Sequence, residues 1–307
     1  MNKIRLTRST ALSPAFEGGH GKRRSELALS VSKGSTLSNL RHLCRGVEGL
    51  TFLILLFLFF PKGTDWGQCQ EFQSKEKIVA AFSSKVPKEW GERVKGVKTR
   101  LNTDQKVLAL TFDACGGPRG NGYDAKLIKY LENEKISATL FISGWWMDAN
   151  RNIFQELTKS PLFEIENHGL NHKPCSVNGR SVYGIEGTKS VDELIDEIEG
   201  NAIKIQKLTG RKPRYYRPAA AYCDEIGVEV ANALGYDVVN FSIRGDAGAR
   251  YSKNQVKEAL LNAPPSSVIL MHMNHPDGET AEGIIEAIPE LRKMGFKFVK
   301  LPEYDLR

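Results

Sequence analysis

From residue 104 onward, short apolar or β-branched runs alternate with amphipathic segments. The runs fall at 106–112 (KVLALTF), 138–143 (ATLFIS), 162–167 (LFEIEN), 214–217 (RYYR), 237–243 (DVVNFSI), 267–273 (SVILMHM) and 296–301 (FKFVKL). Runs of this length and composition predict strands. Between most of them apolar residues recur at helical spacing. The segment YDAKLIKYLENEK places Leu127, Ile128 and Leu131 on one face, with Asp124 as the N-cap. VDELIDEIEGNAIKIQKLTG carries Leu194, Ile195, Ile198, Ile203 and Ile205 and stops at Gly210, and AEGIIEAIPELRKMGF presents Ile284, Ile285 and Ile288 despite Pro289. Strands alternating strictly with helices predict an α/β fold with a parallel sheet, either closed as a barrel or open and doubly wound.

In both arrangements ligands gather at the carboxyl ends of the strands, so the polar residues that follow each run carry the functional information. Asp113 ends the first run and is followed by Ala114, Cys115, Gly116 and Gly117. His168 and His172 follow the third, Arg217 the fourth and Asp246 the fifth, while His272 lies in the sixth. Two imidazoles four residues apart share a face if the turn there is helical, and paired imidazoles suit zinc or a similar divalent ion. Asp113 reads as a general base that Arg217 partners, and the glycines after it would let the chain approach a bound substrate. Asp246 would orient a histidine through its ring N–H. His272 is preferred over the nearby His275 because it belongs to the strand.

These residues resemble the motifs of the polysaccharide deacetylase family, carbohydrate esterase family 4, also called the NodB homology domain. TFDACGG is similar to the family's first motif, TFDDG, HGLNH to its HxxxH metal motif, and RPAAAY to RxPxG. RGDAG sits where the family supplies an acid that tunes the last histidine, and ILMH resembles the final motif. The resemblance spans about residues 104–303 and implies a distorted (β/α)7 barrel. It further implies a base at Asp113, an arginine at Arg217 that positions it, a proton donor at His272 and its tuning acid at Asp246. His168 and His172 would hold a divalent ion, zinc or alternatively cobalt. Ala114 stands where the family has its second Asp, a metal ligand, which leaves the ion to the two histidines with extra waters, or with a substitute carboxylate such as Asp124. The third motif has Ala for its usual Gly, and Gly248 and Ala249 replace the Trp of the fourth. Because Cys115 and Cys223 belong to the first and third motifs, the resemblance also suggests a disulfide between them.

Composition adds location. The chain of 307 residues is 41% hydrophobic and 26% charged, as in ordinary globular proteins. Its net charge of +7 comes entirely from residues 1–47, where nine Lys or Arg face only Glu17 and Glu26. The balanced remainder argues against a nucleic acid partner. The basic segment precedes LTFLILLFLFF at 50–60, too short for a comfortable membrane helix of roughly 20 residues and suited to the core of a secretory signal. The organisation expected is therefore a basic leader (1–48), a signal-peptide core or short membrane anchor (49–67), a linker with a short helix (68–103) and a single catalytic domain (104–307). The protein is expected to be exported, whether periplasmic, extracellular or membrane-anchored and facing outward. Its expected partner is an N-acetylated glycan: peptidoglycan, a chitin-like polymer or an exopolysaccharide. Hydrolysis of another non-peptide amide, or a decayed glycan-binding site, are the alternatives.

Overall fold

The structure, a computed structural model, describes residues 74–307. The basic leader, the apolar segment, Cys44 and Cys69 lie outside the described residues.

The helices are α1 (Lys75–Phe82), α2 (Ala125–Asn133), α3 (Gly144–Ala149), α4 (Arg151–Leu157), α5 (Val191–Thr209), α6 (Glu225–Ala233), α7 (Lys253–Leu261) and α8 (Thr280–Lys293). The strands are β1 (Val107–Ala114), β2 (Ala138–Ile142), β3 (Phe163–Asn167), β4 (Ser181–Val182), β5 (Ile185–Glu186), β6 (Tyr215–Tyr216), β7 (Asp237–Val238), β8 (Ile243–Arg244), β9 (Ser267–His272) and β10 (Lys297–Phe298). The main sheet is parallel, in the order β7-β6-β3-β2-β1-β9-β8, with β10 pairing the start of β1. β4 and β5 form a separate antiparallel hairpin. The expected run at 237–243 is two strands, β7 and β8, which end the sheet on opposite sides. The curled parallel sheet with helices outside is the distorted (β/α)7 barrel, drawn apart between those two edges.

The outer core packs the outward residues of β1, among them Leu108, Leu110, Phe112 and Ala114, against α2, α7 and α8. The inside is filled by Val107, Ala109, Phe141, Tyr215, Val239, Val268 and Leu301. The alternation of strand side chains makes this division.

Local signals explain the helix ends. Asp124 accepts from the Leu127 N–H at 2.9 Å, Ser190 caps α5, and Gly210 closes it in the left-handed region at φ 76°. Pro289 sits inside α8 and removes one helix donor. The Ile285 carbonyl, which that donor would have engaged, accepts from the Tyr130 hydroxyl at 3.5 Å. Ile203, expected on the buried face of α5, is 46% exposed. Residues from Lys75 on, within the expected linker, are structured. After α1 the chain bridges Gly91 to Cys223, Lys98 to Val239 and Arg100 to Ser267, and Leu101 is fully buried.

Candidate active site

The carboxyl ends of the strands surround a cavity of about 230 Å³, lined among others by Asp113, Cys115, His168, His172, His272 and His275. Residues far apart in the chain therefore meet at one mouth. Backbone strain gathers there too: His172, Ala220, Ala221, Ala247 and Ala249 all have φ between 52° and 57°. Such conformations cost of order 1–3 kcal/mol each and cluster at functional sites.

β1 delivers Asp113 with its carbonyl bonded to the Met273 N–H. Below it lies Arg217, completely buried. The guanidinium donates to Asp113 Oδ1 at 2.8 Å, to Thr111 Oγ1 at 2.9 Å, and to the carbonyls of Val239 and Asn240 at 2.9 Å. It also lies 4.0 Å from the centre of the Phe141 ring. Burial lowers the Arg217 pKa and the Asp113 charge opposes that fall. With Oδ1 held, Oδ2 is left near His168 Nε2, 3.6 Å away.

His168 donates its Nδ1–H to the Arg217 carbonyl at 2.8 Å, which fixes the tautomer and leaves the Nε2 lone pair facing the cavity. Burial lowers its pKa, but the charge of Asp113 and the contact with Cys115 raise it overall. His172 stands with its ring 4.8 Å from that of His168, and its Nε2 is buried without a hydrogen-bond partner. The two meet through an irregular loop, so the condition of a helical turn is not the one that pairs them: Gly169 has φ 80° and His172 φ 52°.

That loop is held from α5. Glu197, almost fully buried, accepts from the Asn171 and Lys173 N–H groups at 3.0 Å. Asn201 donates to the Ile142 carbonyl and to Asn167, whose side chain bonds the Gly169 N–H at 2.9 Å. Sequence reading missed both residues. The available signal was an acid and an amide, at 197 and 201, on the same helix face as Leu194 and Ile198.

His272 ends β9 with Nδ1 donating to Asp246 Oδ1 at 2.9 Å. Asp246 is completely buried, and also accepts from the His272 N–H at 2.7 Å, the Thr280 hydroxyl at 3.1 Å and the Gly248 N–H at 3.1 Å. Burial alone would lower the His272 pKa. The charge and hydrogen bond of Asp246 overcome it and raise it well above the ordinary histidine range. Conversely, His272 holds Asp246 below the usual carboxylate value, against its burial. His275 also lines the cavity, but burial and the charge of His272 lower its pKa.

Asp124 is not brought to the metal pair; its carboxylate caps α2. The donor beside the two histidines is Cys115, whose Sγ lies 3.7 Å from His168 Nε2. One donor atom from each of Cys115, His168 and His172 falls within 4.8 Å of the others. Burial would raise the Cys115 thiol, but the electrostatic interaction with His172 and hydrogen bonding with His168, His172 and His272 hold it well below the usual value. A clustered thiol, a fixed imidazole lone pair and an orphaned buried ring nitrogen together fit a divalent ion.

No Cys115–Cys223 disulfide forms: Cys115, Cys175 and Cys223 are free, and Cys223 bridges Cys175 through the backbone. Gly116 and Gly117 lie close to Trp145 and Trp146, so packing constrains both. A Cβ on Gly116 would meet the Trp146 backbone nitrogen at 2.5 Å, and its φ of 77° favours glycine as well. The rim further includes Tyr183, which stacks edge-on against Tyr222, and Arg244 paired with Glu92.

The polysaccharide deacetylase family profile matches residues 100–239. The peptidoglycan-N-acetylmuramic acid deacetylase PdaA of Bacillus subtilis is 25% identical over 66% of this chain and 72% of its own. The peptidoglycan-N-acetylglucosamine deacetylase of Bacillus cereus is 24% identical over 67% of this chain and 92% of its own. A family 4 carbohydrate esterase pseudoenzyme from Bacillus anthracis shares the fold, with a TM-score of 0.56, 22% identity and 67% of each chain covered.

Proposed function

The chain belongs to the polysaccharide deacetylase family, and from that premise we propose that it hydrolyses N-acetyl groups on an amino-sugar polysaccharide or oligosaccharide, releasing acetate and a free amine. The observation that carries this reading is the convergence of Asp113, backed by Arg217, and His272, backed by Asp246, across one cavity from the two imidazoles.

His168 and His172 would hold a divalent ion, zinc or alternatively cobalt. When bound, such an ion supplies Lewis acidity to the acetyl carbonyl and to the attacking water. Arg217 occupies one oxygen of Asp113 and aims the other at the cavity, where it takes the water's proton. The water oxygen bonds to the acetyl carbon. As the C–N bond breaks, His272 gives its Nε2 proton to the departing nitrogen, and Asp246 stabilises the cation until that moment. General acid catalysis of this kind contributes typically 10²–10⁴-fold. The exposed aromatic at Tyr183, backed by Tyr222 and Trp90, supports a sugar ring lying at the rim.

Peptidoglycan leads the substrate classes because both curated relatives named above act on it; chitin-like and exopolysaccharide glycans share the reactive group. The basic leader and apolar run support export, with membrane attachment if the run is retained. The rival reading, a decayed glycan-binding site, is favoured by Ala114 and by the pseudoenzyme with the same fold. The test is to incubate the full-length protein, loaded with zinc or cobalt, with peptidoglycan, chitin oligomers and an acetylated exopolysaccharide. Acetate and free amine should appear in equal amounts from at least one. Glycan binding without acetate from any would establish the rival.

A further inference from the structure

We propose that Cys115, as a thiolate, is the third protein ligand of the metal ion, completing a two-histidine, one-cysteine site. The inference starts from strand parity. Along β1 the side chains alternate, so Thr111 and Asp113 point inward to Arg217, while Phe112 and Ala114 pack in the outer core beneath the helices. Two residues past Asp113, Cys115 returns to the inner side, and the Ser143 hydroxyl bonds its carbonyl at 2.6 Å to hold that turn. Ala114 does not merely lack a carboxylate; its Cβ is fully buried on the opposite face.

The three donors have the arrangement of an open catalytic site. Metal–ligand bonds of about 2.0–2.3 Å in a tetrahedron place donor atoms roughly 3.3–3.8 Å apart. The Sγ–Nε2 separation of 3.7 Å falls within that span, and the full set lies within 4.8 Å. His168 is pre-oriented by the Arg217 carbonyl, and the buried His172 Nε2 has no other partner. Three protein ligands leave a fourth position facing the cavity. The thiolate donates an electron pair to the ion without another bond breaking, and any proton the sulfur still carries passes to solvent as the ion takes its place. A soft sulfur donor selects zinc and cobalt over magnesium, calcium and manganese.

The inference rests on reading the two histidines as a metal site, and its test reads ligation directly, so that a wrong glycan leaves the outcome untouched. Full-length protein is titrated with cobalt(II), and absorption is recorded alongside bound-metal analysis. The wild type should bind one equivalent and show a thiolate-to-cobalt charge-transfer band in the near ultraviolet. Cys115→Ser should lose the band, and Cys115→Asp should bind cobalt without it. Independently, and with no substitution, zinc loading should protect Cys115 from alkylation, mapped by peptide mass. The proposal is overturned if wild type binds no cobalt or binds it without the band. It is equally overturned if the band survives in Cys115→Ser, or if zinc leaves Cys115 alkylation unchanged.

Discussion

Asp113 on β1 and His272 on β9 are direct partners in the parallel ladder, with Phe141 of β2 opposite Asp113 on its other side. Neighbouring strands lie about 4.8 Å apart, so the backbone itself fixes the separation of the proposed base and acid. Each of the two then has its own buried partner, Arg217 for the base and Asp246 for the acid.

The Asp246 pairing predicts the alkaline side of the pH profile. His272 is raised above its unfolded value, so the cation persists below that value and is lost as pH climbs through the raised one. The pair's stabilisation is present in the same window. Asp246→Asn removes the raising charge and leaves the burial that lowers the pKa. The alkaline limb of kcat should therefore move to lower pH, as measured by acetate release from pH 5 to 10. An unmoved limb would separate Asp246 from the acid role.

Arg217→Lys should fail to rescue activity, although it keeps the charge. The guanidinium serves four acceptors from one plane, and an ammonium has neither the fork nor the reach. A buried pair broken on one side costs roughly 3–5 kcal/mol. Thermal unfolding should show a lower Tm, and kcat should fall more than KM rises.

Glu197 would act on a bound metal through the loop that carries His172. Glu197→Ala leaves the Asn171 and Lys173 N–H groups without their acceptor, and zinc affinity should drop about 10–100-fold, as for other residues that orient ligands. Glu197→Gln keeps an acceptor oxygen and should recover part of the loss. Calorimetric titration with zinc reads both.

Glu166 lies at the end of β3 and accepts from the Arg214 and Tyr215 N–H groups at 2.9 and 2.8 Å. Burial pushes its pKa up to about 8. The raised value means the protonated form fits the fold: its stabilisation is complete below the unfolded value near 4.5 and declines as pH rises toward 8. Glu166→Gln should raise Tm at pH 9 and change it little at pH 5.

Much of this was legible in the chain. The seven runs mark the sheet, and strand-end placement singles out Asp113, His168, His172, Arg217, Asp246 and His272, which the fold brings together. What stayed hidden has physical causes. The 237–243 run looks continuous in composition, yet Val239 and Asn240 turn to engage the Arg217 guanidinium, so pairing breaks there. Asp124 carries a carboxylate near the site in sequence, but a helix N-terminus claims it. Cys115 is visible in the chain, but the disulfide that the resemblance suggests for it does not form. Counting in twos from Thr111 would have put it on the face of Asp113.

The most direct test compares acetate release from an N-acetylated glycan by the wild type, Asp113→Asn and His272→Ala, each full-length, metal-loaded and shown to be folded. The account predicts turnover by the wild type and a loss of about 10²-fold or more in either variant. Rates equal to the wild type in either variant would contradict it.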